Sequence, residues 1–127
     1  MLNAAAIVAF VAFAATADAE ASRMFYGDIL KLRLVSDEPY ALVFDANGTT
    51  LRIQKVQNVM PVPYTTLGWN VEDIVALHDI LATAGVAFER FPNFGQDSNG
   101  IVEFPGGAKV AWFKDPDGNL LSLTQTR

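Results

Sequence analysis

Apolar residues in this chain recur at two spacings, and the two spacings alternate in blocks. A near-continuous apolar run from Ala4 to Ala15 predicts a buried strand. Ala21, Phe25, Ile29 and Leu32 then fall on one helical stripe, which predicts a helix over about 19–30. Around the Asn47-Gly48 turn the spacing changes to two: Leu51 and Ile53 fall on one face of a strand, and Thr50, Arg52 and Gln54 on the other. Thr66 to Asp73 is again apolar and ends in an acidic residue. Ile74, Leu77, Leu81 and Ala84 form a second helical stripe over 74–84, with Gly85 as its stop. Residues 91–107 are rich in Gly, Pro, Asn and Asp and predict a loop. The chain closes with strand, turn, strand across 112–124. Asp115-Pro116-Asp117-Gly118-Asn119 supplies the turn: Pro presets φ and Gly takes the left-handed position.

The blocks repeat. Asp18 and Asp73 each close an apolar segment and precede a helix, at an offset of 73 − 18 = 55. Both acids suit a helix N-terminus, by capping it or by favouring its positive end. Gly48-Thr49-Thr50-Leu51-Arg52-Ile53-Gln54 aligns with Gly118-Asn119-Leu120-Leu121-Ser122-Leu123-Thr124, at an offset of 118 − 48 = 70. The difference, 70 − 55 = 15, is an insertion in the second half, and the 91–107 loop is its natural place. Each half therefore reads as strand, helix and three strands, with module 1 over about 4–58 and module 2 over about 63–127. A half this small buries its sheet face poorly alone, so both are expected in one domain over 1–127.

Composition narrows the functional classes. The chain has 127 residues, 51% of them hydrophobic and 18% charged, which suits a packed core. Net charge is −5 and Lys and Arg form no run, so nucleic acid and anionic membrane surfaces are not expected as partners. Cysteine is absent, which removes disulfides, thiolate metal sites and thiol catalysis. Residues 1–20 resemble a secretory leader in their apolar run but contain no Lys or Arg, so a strand is the preferred reading and a cytoplasmic location is expected. The run is also too short to span a bilayer.

Few residues carry obvious chemistry. His78, the one histidine, sits at the edge of the second helical stripe, where a structural role is expected. Glu103 lies in the loop beside Phe104-Pro105-Gly106-Gly107 and is read as a solvated carboxylate or as a rim acceptor for a cationic ligand group. Strand alternation turns Arg52 and Gln54 away from the helix-packed face. Arg52 is then either a rim residue paired with a carboxylate or a planar anchor for a ligand carbonyl or anion. Tyr40, Trp69, Phe91, Phe94, Trp112 and Phe113 are aromatics divided between core and binding surface.

Phe25-Tyr26, Leu30-Lys31-Leu32, Asn70-Val71-Glu72-Asp73, Gly85-Val86 and above all Asp115-Pro116-Asp117-Gly118-Asn119 resemble the glyoxalase/bleomycin resistance/dioxygenase family, the vicinal oxygen chelate superfamily. Lys31 departs from it, standing where the family often has Gly at a helix stop. The resemblance implies an α+β fold of two paired βαβββ modules, with a mixed sheet curled around a cleft and the helices outside. It also implies a homodimer. The family's four divalent-metal positions fall on Val11, Arg52, Thr66 and Ser122. Val has no donor, Arg is a cation, and lone hydroxyls are weak ligands, so no metal and no other cofactor is expected.

The expected function is metal-independent binding of a small, partly aromatic organic molecule, such as drug or metabolite sequestration. The proposed contacts are Val11, Phe13, Tyr40, Arg52 and Gln54 in the first module, and Thr66, Phe94, Trp112, Phe113 and Ser122 in the second. No catalytic residue is assigned. Two alternatives stay open: a metal-dependent lyase, isomerase or dioxygenase of the same superfamily, and a non-catalytic interaction or regulatory module.

Overall fold

The computed structural model describes residues 6–126, and the chain divides between Asn58 and Val59 into two compact units. Each is a βαβββ module, so the molecule has the α+β class that the repeat predicts.

The first module runs β1 (Val11–Thr16), α1 (Ala19–Arg23), β2 (Arg33–Asp37), β3 (Ala41–Ala46) and β4 (Thr49–Lys55). Its sheet order is β1-β4-β3-β2, with β1 parallel to β4 and the rest antiparallel. Asp18 caps α1 by accepting the Ala21 amide at 3.1 Å. The helix continues without a break as a π-helical segment, Met24–Ile29, where the Leu30 amide reaches back five residues to the Phe25 carbonyl. The wider turn presents two consecutive aromatics, Phe25 and Tyr26, to the core. Tyr26 packs on Phe44, with ring centroids 5.9 Å apart. Phe44, Leu51 and Ile53 are fully buried on this side of the sheet. Lys31 closes the helical segment in the left-handed region at φ 65°.

The expected buried N-terminal strand needs correcting. Strand begins only at Val11; Ile7, Val8 and Phe10 are irregular and exposed, and residues 4 and 5 of the apolar run lie outside the described residues. Within its sheet β1 is an edge strand, not an inner one. Its side chains alternate: Thr16 is buried against Ser22 on the helix side, while Val11 and Phe13 stand on the opposite face. Both faces are apolar, which is why the sequence reads as a continuous run.

The second module runs β5 (Thr65–Asn70), α2 (Ile74–Thr83), β6 (Val102–Glu103), β7 (Lys109–Lys114) and β8 (Leu120–Gln125), in the order β5-β8-β7-β6. Asp73 caps α2 through the Ala76 amide at 3.1 Å, as Asp18 caps α1. Ile74 and Leu81 of α2 are buried, and Phe113, Leu121 and Leu123 line the same core. His78 stacks on Phe88 at 4.5 Å, and Phe88 on Phe113 at 5.5 Å, so the histidine is a packing residue of the helix face.

The insertion lies in the edge strand. Leu34 pairs with Phe44 in the first module, and Phe88 pairs with Phe113 in the second. The offset grows from 88 − 34 = 54 to 113 − 44 = 69 across this pair, a gain of 15. In the first module the same place holds only a bulge between Leu34 and Ser36. In the second, the chain leaves the sheet after Glu89 and rejoins it at Val102 opposite Val110. The expected loop over 91–107 therefore contains a short strand at Val102–Glu103.

Candidate functional site

In both modules one sheet face packs on the helical segment, and the opposite face carries the residues of interest. In the first module that helix-free face holds Val11, Phe13, Arg52 and Gln54, as strand alternation predicts. Arg52 lies between Phe13 on β1 and Val43 on β3. Its guanidinium donates to Glu38 Oε1 at 3.2 Å, and Ser36 donates to the other Glu38 oxygen at 3.0 Å. The ion pair is half exposed, so it holds Arg52 in place at little energetic gain, about 0–1 kcal/mol. Phe13 beside it is 51% exposed. Tyr40 lies elsewhere, in the hairpin turn between β2 and β3, with its side chain 81% exposed.

In the second module the helix-free face is aromatic. Trp112 is centred on it, cross-strand from Ser122, and its indole N–H donates to Thr65 Oγ1 at 3.2 Å. Phe91 and Phe94, both on the insertion, come back over Trp112 with ring centroids 5.5 and 5.3 Å away. Phe104 extends the cluster from Phe94 at 5.8 Å. All three phenylalanines keep at least 36% of their surface exposed. Exposed apolar surface of this kind is the usual mark of a binding face.

The insertion that carries these rings is tied down. Gln96 Nε2 donates to the carbonyls of Glu89 and Gly100 at 2.9 and 2.8 Å, and Gln96 Oε1 accepts the Phe91 amide. Asp97 turns the chain by accepting the Asn99 and Ile101 amides.

One sequence expectation changes here, and the register sets the rest. Phe113 belongs to the core: it is fully buried on the helix face, because β7 alternates and Trp112 takes the other side. Thr66 is not level with Ser122. A bulge between Thr65 and Leu67 shifts β5, Gly68 pairs with Ser122, and Thr66 hydrogen-bonds the Leu120 carbonyl instead. A Cβ at Gly68 would stand 2.7 Å from Ser122 Oγ, so the hydroxyl needs a glycine opposite. In the first module the residue level with Arg52 is likewise Phe13, not Val11. Phe91 and Phe104 join this aromatic cluster although the sequence assigns neither as a contact, and Gln96 holds the insertion that carries them. The aromatic-plus-Gly composition of the insertion was the available signal, but only the fold shows that the excursion returns to Trp112.

These residues do not fit a divalent metal. At the four positions the resemblance maps onto metal ligands, Val11 has no donor side chain, Arg52 is cationic, and Thr66 and Ser122 offer one hydroxyl each, that of Thr66 already donating to the Leu120 carbonyl. Among the described residues, no group of three His, Asp or Glu side chains converges as metal ligands would. Nor, among them, is any helix long and apolar enough to cross a membrane.

A duplicated βαβββ module with an open sheet face defines a class of proteins, and the sequence agrees. Residues 7–123 match the profile of the Glyoxalase/Bleomycin resistance protein/Dioxygenase superfamily. The chain belongs to that superfamily. No curated protein matches it. Solved structures similar to it include TnmS3, an antibiotic binding protein from a Streptomyces species (24% identity, 94% of this chain and 98% of that one, TM-score 0.71). A glyoxalase-related enzyme from Fulvimarina pelagi is 25% identical over 94% of this chain and 87% of that one, with TM-score 0.69. A member of the same superfamily from Sphaerobacter thermophilus is 24% identical over 93% and 98%, with TM-score 0.70.

Proposed function

We propose that this chain binds a small, partly aromatic organic molecule without a divalent metal. The observation that carries the reading is the cluster of Phe91, Phe94, Phe104 and Trp112 on the helix-free face of the second module. Edge-to-face and offset stacking with planar ligands suits such rings, and Trp contributes a large, rigid surface. Val11, Arg52, Thr66 and Ser122, at the positions the resemblance maps onto metal ligands, are poor donors and favour binding over metal-assisted chemistry. A neighbour of this fold is an antibiotic binding protein, so sequestration of a drug or metabolite is the form this function takes. In the first module, Phe13 and Arg52 offer an apolar surface beside a cation for a ligand carbonyl or anionic group.

The test is native mass spectrometry of protein purified without added ligand, followed by titration with planar aromatic antibiotics. The expected result is one ligand per chain and a Trp112→Ala variant that folds normally but binds at least tenfold more weakly. Equal affinity in Trp112→Ala would move the site away from this face.

A further inference from the structure

A concavity lies within the second module, at the end of the sheet where β7 turns into β8. It has a volume of about 320 Å³, the small end of the range for ligand pockets. Its apolar lining is Pro61, Val62, Pro63, Phe91 and Leu120. Its charged lining residues are Lys114 and Glu89. The wall is close-packed at one point: a Cβ at Gly118 would stand 3.0 Å from Pro61 Cγ, and Gly118 already needs its left-handed φ of 87° for the turn. The 61–63 segment is thus seated on the β7–β8 turn.

The charged pair is loose. Lys114 Nζ stands 3.6 Å from Glu89 Oε1, beyond hydrogen-bond length, and its side chain is 53% exposed against 29% for Glu89. An ammonium has three donors, so a loosely paired one has capacity to spare. The main chain of Glu89 is fixed: its amide donates to the Trp112 carbonyl and its carbonyl accepts from Gln96. Lysine has the longer, more flexible stem and can move toward a ligand. Proline and phenylalanine faces suit contact with a flat ring.

We propose that this pocket takes a small aromatic carboxylate, its ring against Pro61, Pro63 and Phe91 and its carboxylate on Lys114. The proposal deepens the function given above and rests on it through Phe91, which belongs both to the pocket and to the aromatic cluster.

The test is calorimetric titration of the full chain, after dialysis against EDTA, with 1-naphthoate, 1-naphthamide and 1-naphthylmethylammonium. Naphthoate is expected to bind one per chain, more tightly than either analogue. Lys114→Met, which keeps the stem and removes the charge, is expected to weaken naphthoate at least tenfold and leave naphthamide unchanged. Phe91→Ala is expected to weaken both. In amide NMR spectra the largest naphthoate-induced shifts are expected at Val62, Gly118 and Leu120. Naphthoate affinity unchanged in Lys114→Met would overturn the proposal, as would tighter binding of the ammonium or no saturable binding at millimolar naphthoate. If Trp112→Ala abolishes naphthoate binding while Lys114→Met does not, the pocket falls and the aromatic-cluster reading stands. If aromatic antibiotics bind but naphthoate does not, the pocket alone is again refuted.

Discussion

At the scale of single residues, alternation decides what each side chain can do. Trp112 and Phe113 are neighbours with similar chemistry, yet one is only partly buried beside Ser122 and the other is sealed on the α2 side of the sheet. Sequence could not separate them, because the register of β7 depends on pairings outside the strand. Leu51, Arg52 and Ile53 were legible, since two aliphatics flank one cation. Lys31 was legible too, as a non-glycine at a helix stop, and its φ of 65° makes the strain real. Lys31→Gly is expected to raise unfolding free energy by about 0.5–1 kcal/mol in urea titrations, without touching ligand binding. Arg52→Ala is expected to change stability by under about 1 kcal/mol, since it removes a half-exposed ion pair. It should weaken an oxygen-bearing ligand by about 1.5–3 kcal/mol if the guanidinium anchors it. Unfolding of Arg52→Ala with ligand affinity intact in the folded fraction would make Arg52 a structural residue.

At the scale of elements, the informative feature is the excursion that interrupts the edge strand. Its length followed from the repeat arithmetic, and its composition marked it as a loop. What the sequence did not show is its internal order: Gln96 holds three main-chain groups, and two phenylalanines are delivered back to the sheet. Those bonds join residues up to seven apart and leave no periodic signature. Gln96→Ala is expected to cost about 1–2 kcal/mol by leaving amide and carbonyl groups unpaired. Hydrogen exchange over residues 90–101 should accelerate while exchange in β7 and β8 stays slow. Uniform acceleration across the module would mean that Gln96 supports the core rather than the excursion. The β5 bulge escaped the sequence for a similar reason, since one extra residue between Thr65 and Leu67 leaves the apolar pattern of the strand intact.

At the scale of the whole molecule, the repeat makes both modules legible in the sequence, and superfamily membership follows from sequence and fold together. The exposed apolar residues ahead of β1, Ile7, Val8 and Phe10, motivate the proposal that the chain forms a homodimer. Sedimentation at micromolar concentration is expected to give twice the 13.8 kDa chain mass; a single species at the chain mass would refute it. Removing residues 1–15 would strip five of the six residues of β1, Val11–Thr16, from β4 and is expected to yield insoluble protein.

The most direct test of metal-free aromatic binding is a paired titration. The ligand recovered by native mass spectrometry, or the tightest-binding aromatic antibiotic, is titrated into protein stripped with EDTA and into protein supplied with zinc, manganese or iron. Elemental analysis accompanies both. The account predicts the same affinity in both samples, no stoichiometric metal after dialysis, and a loss of at least tenfold in Trp112→Ala. One metal equivalent per chain together with binding only in the metal-loaded sample would contradict it.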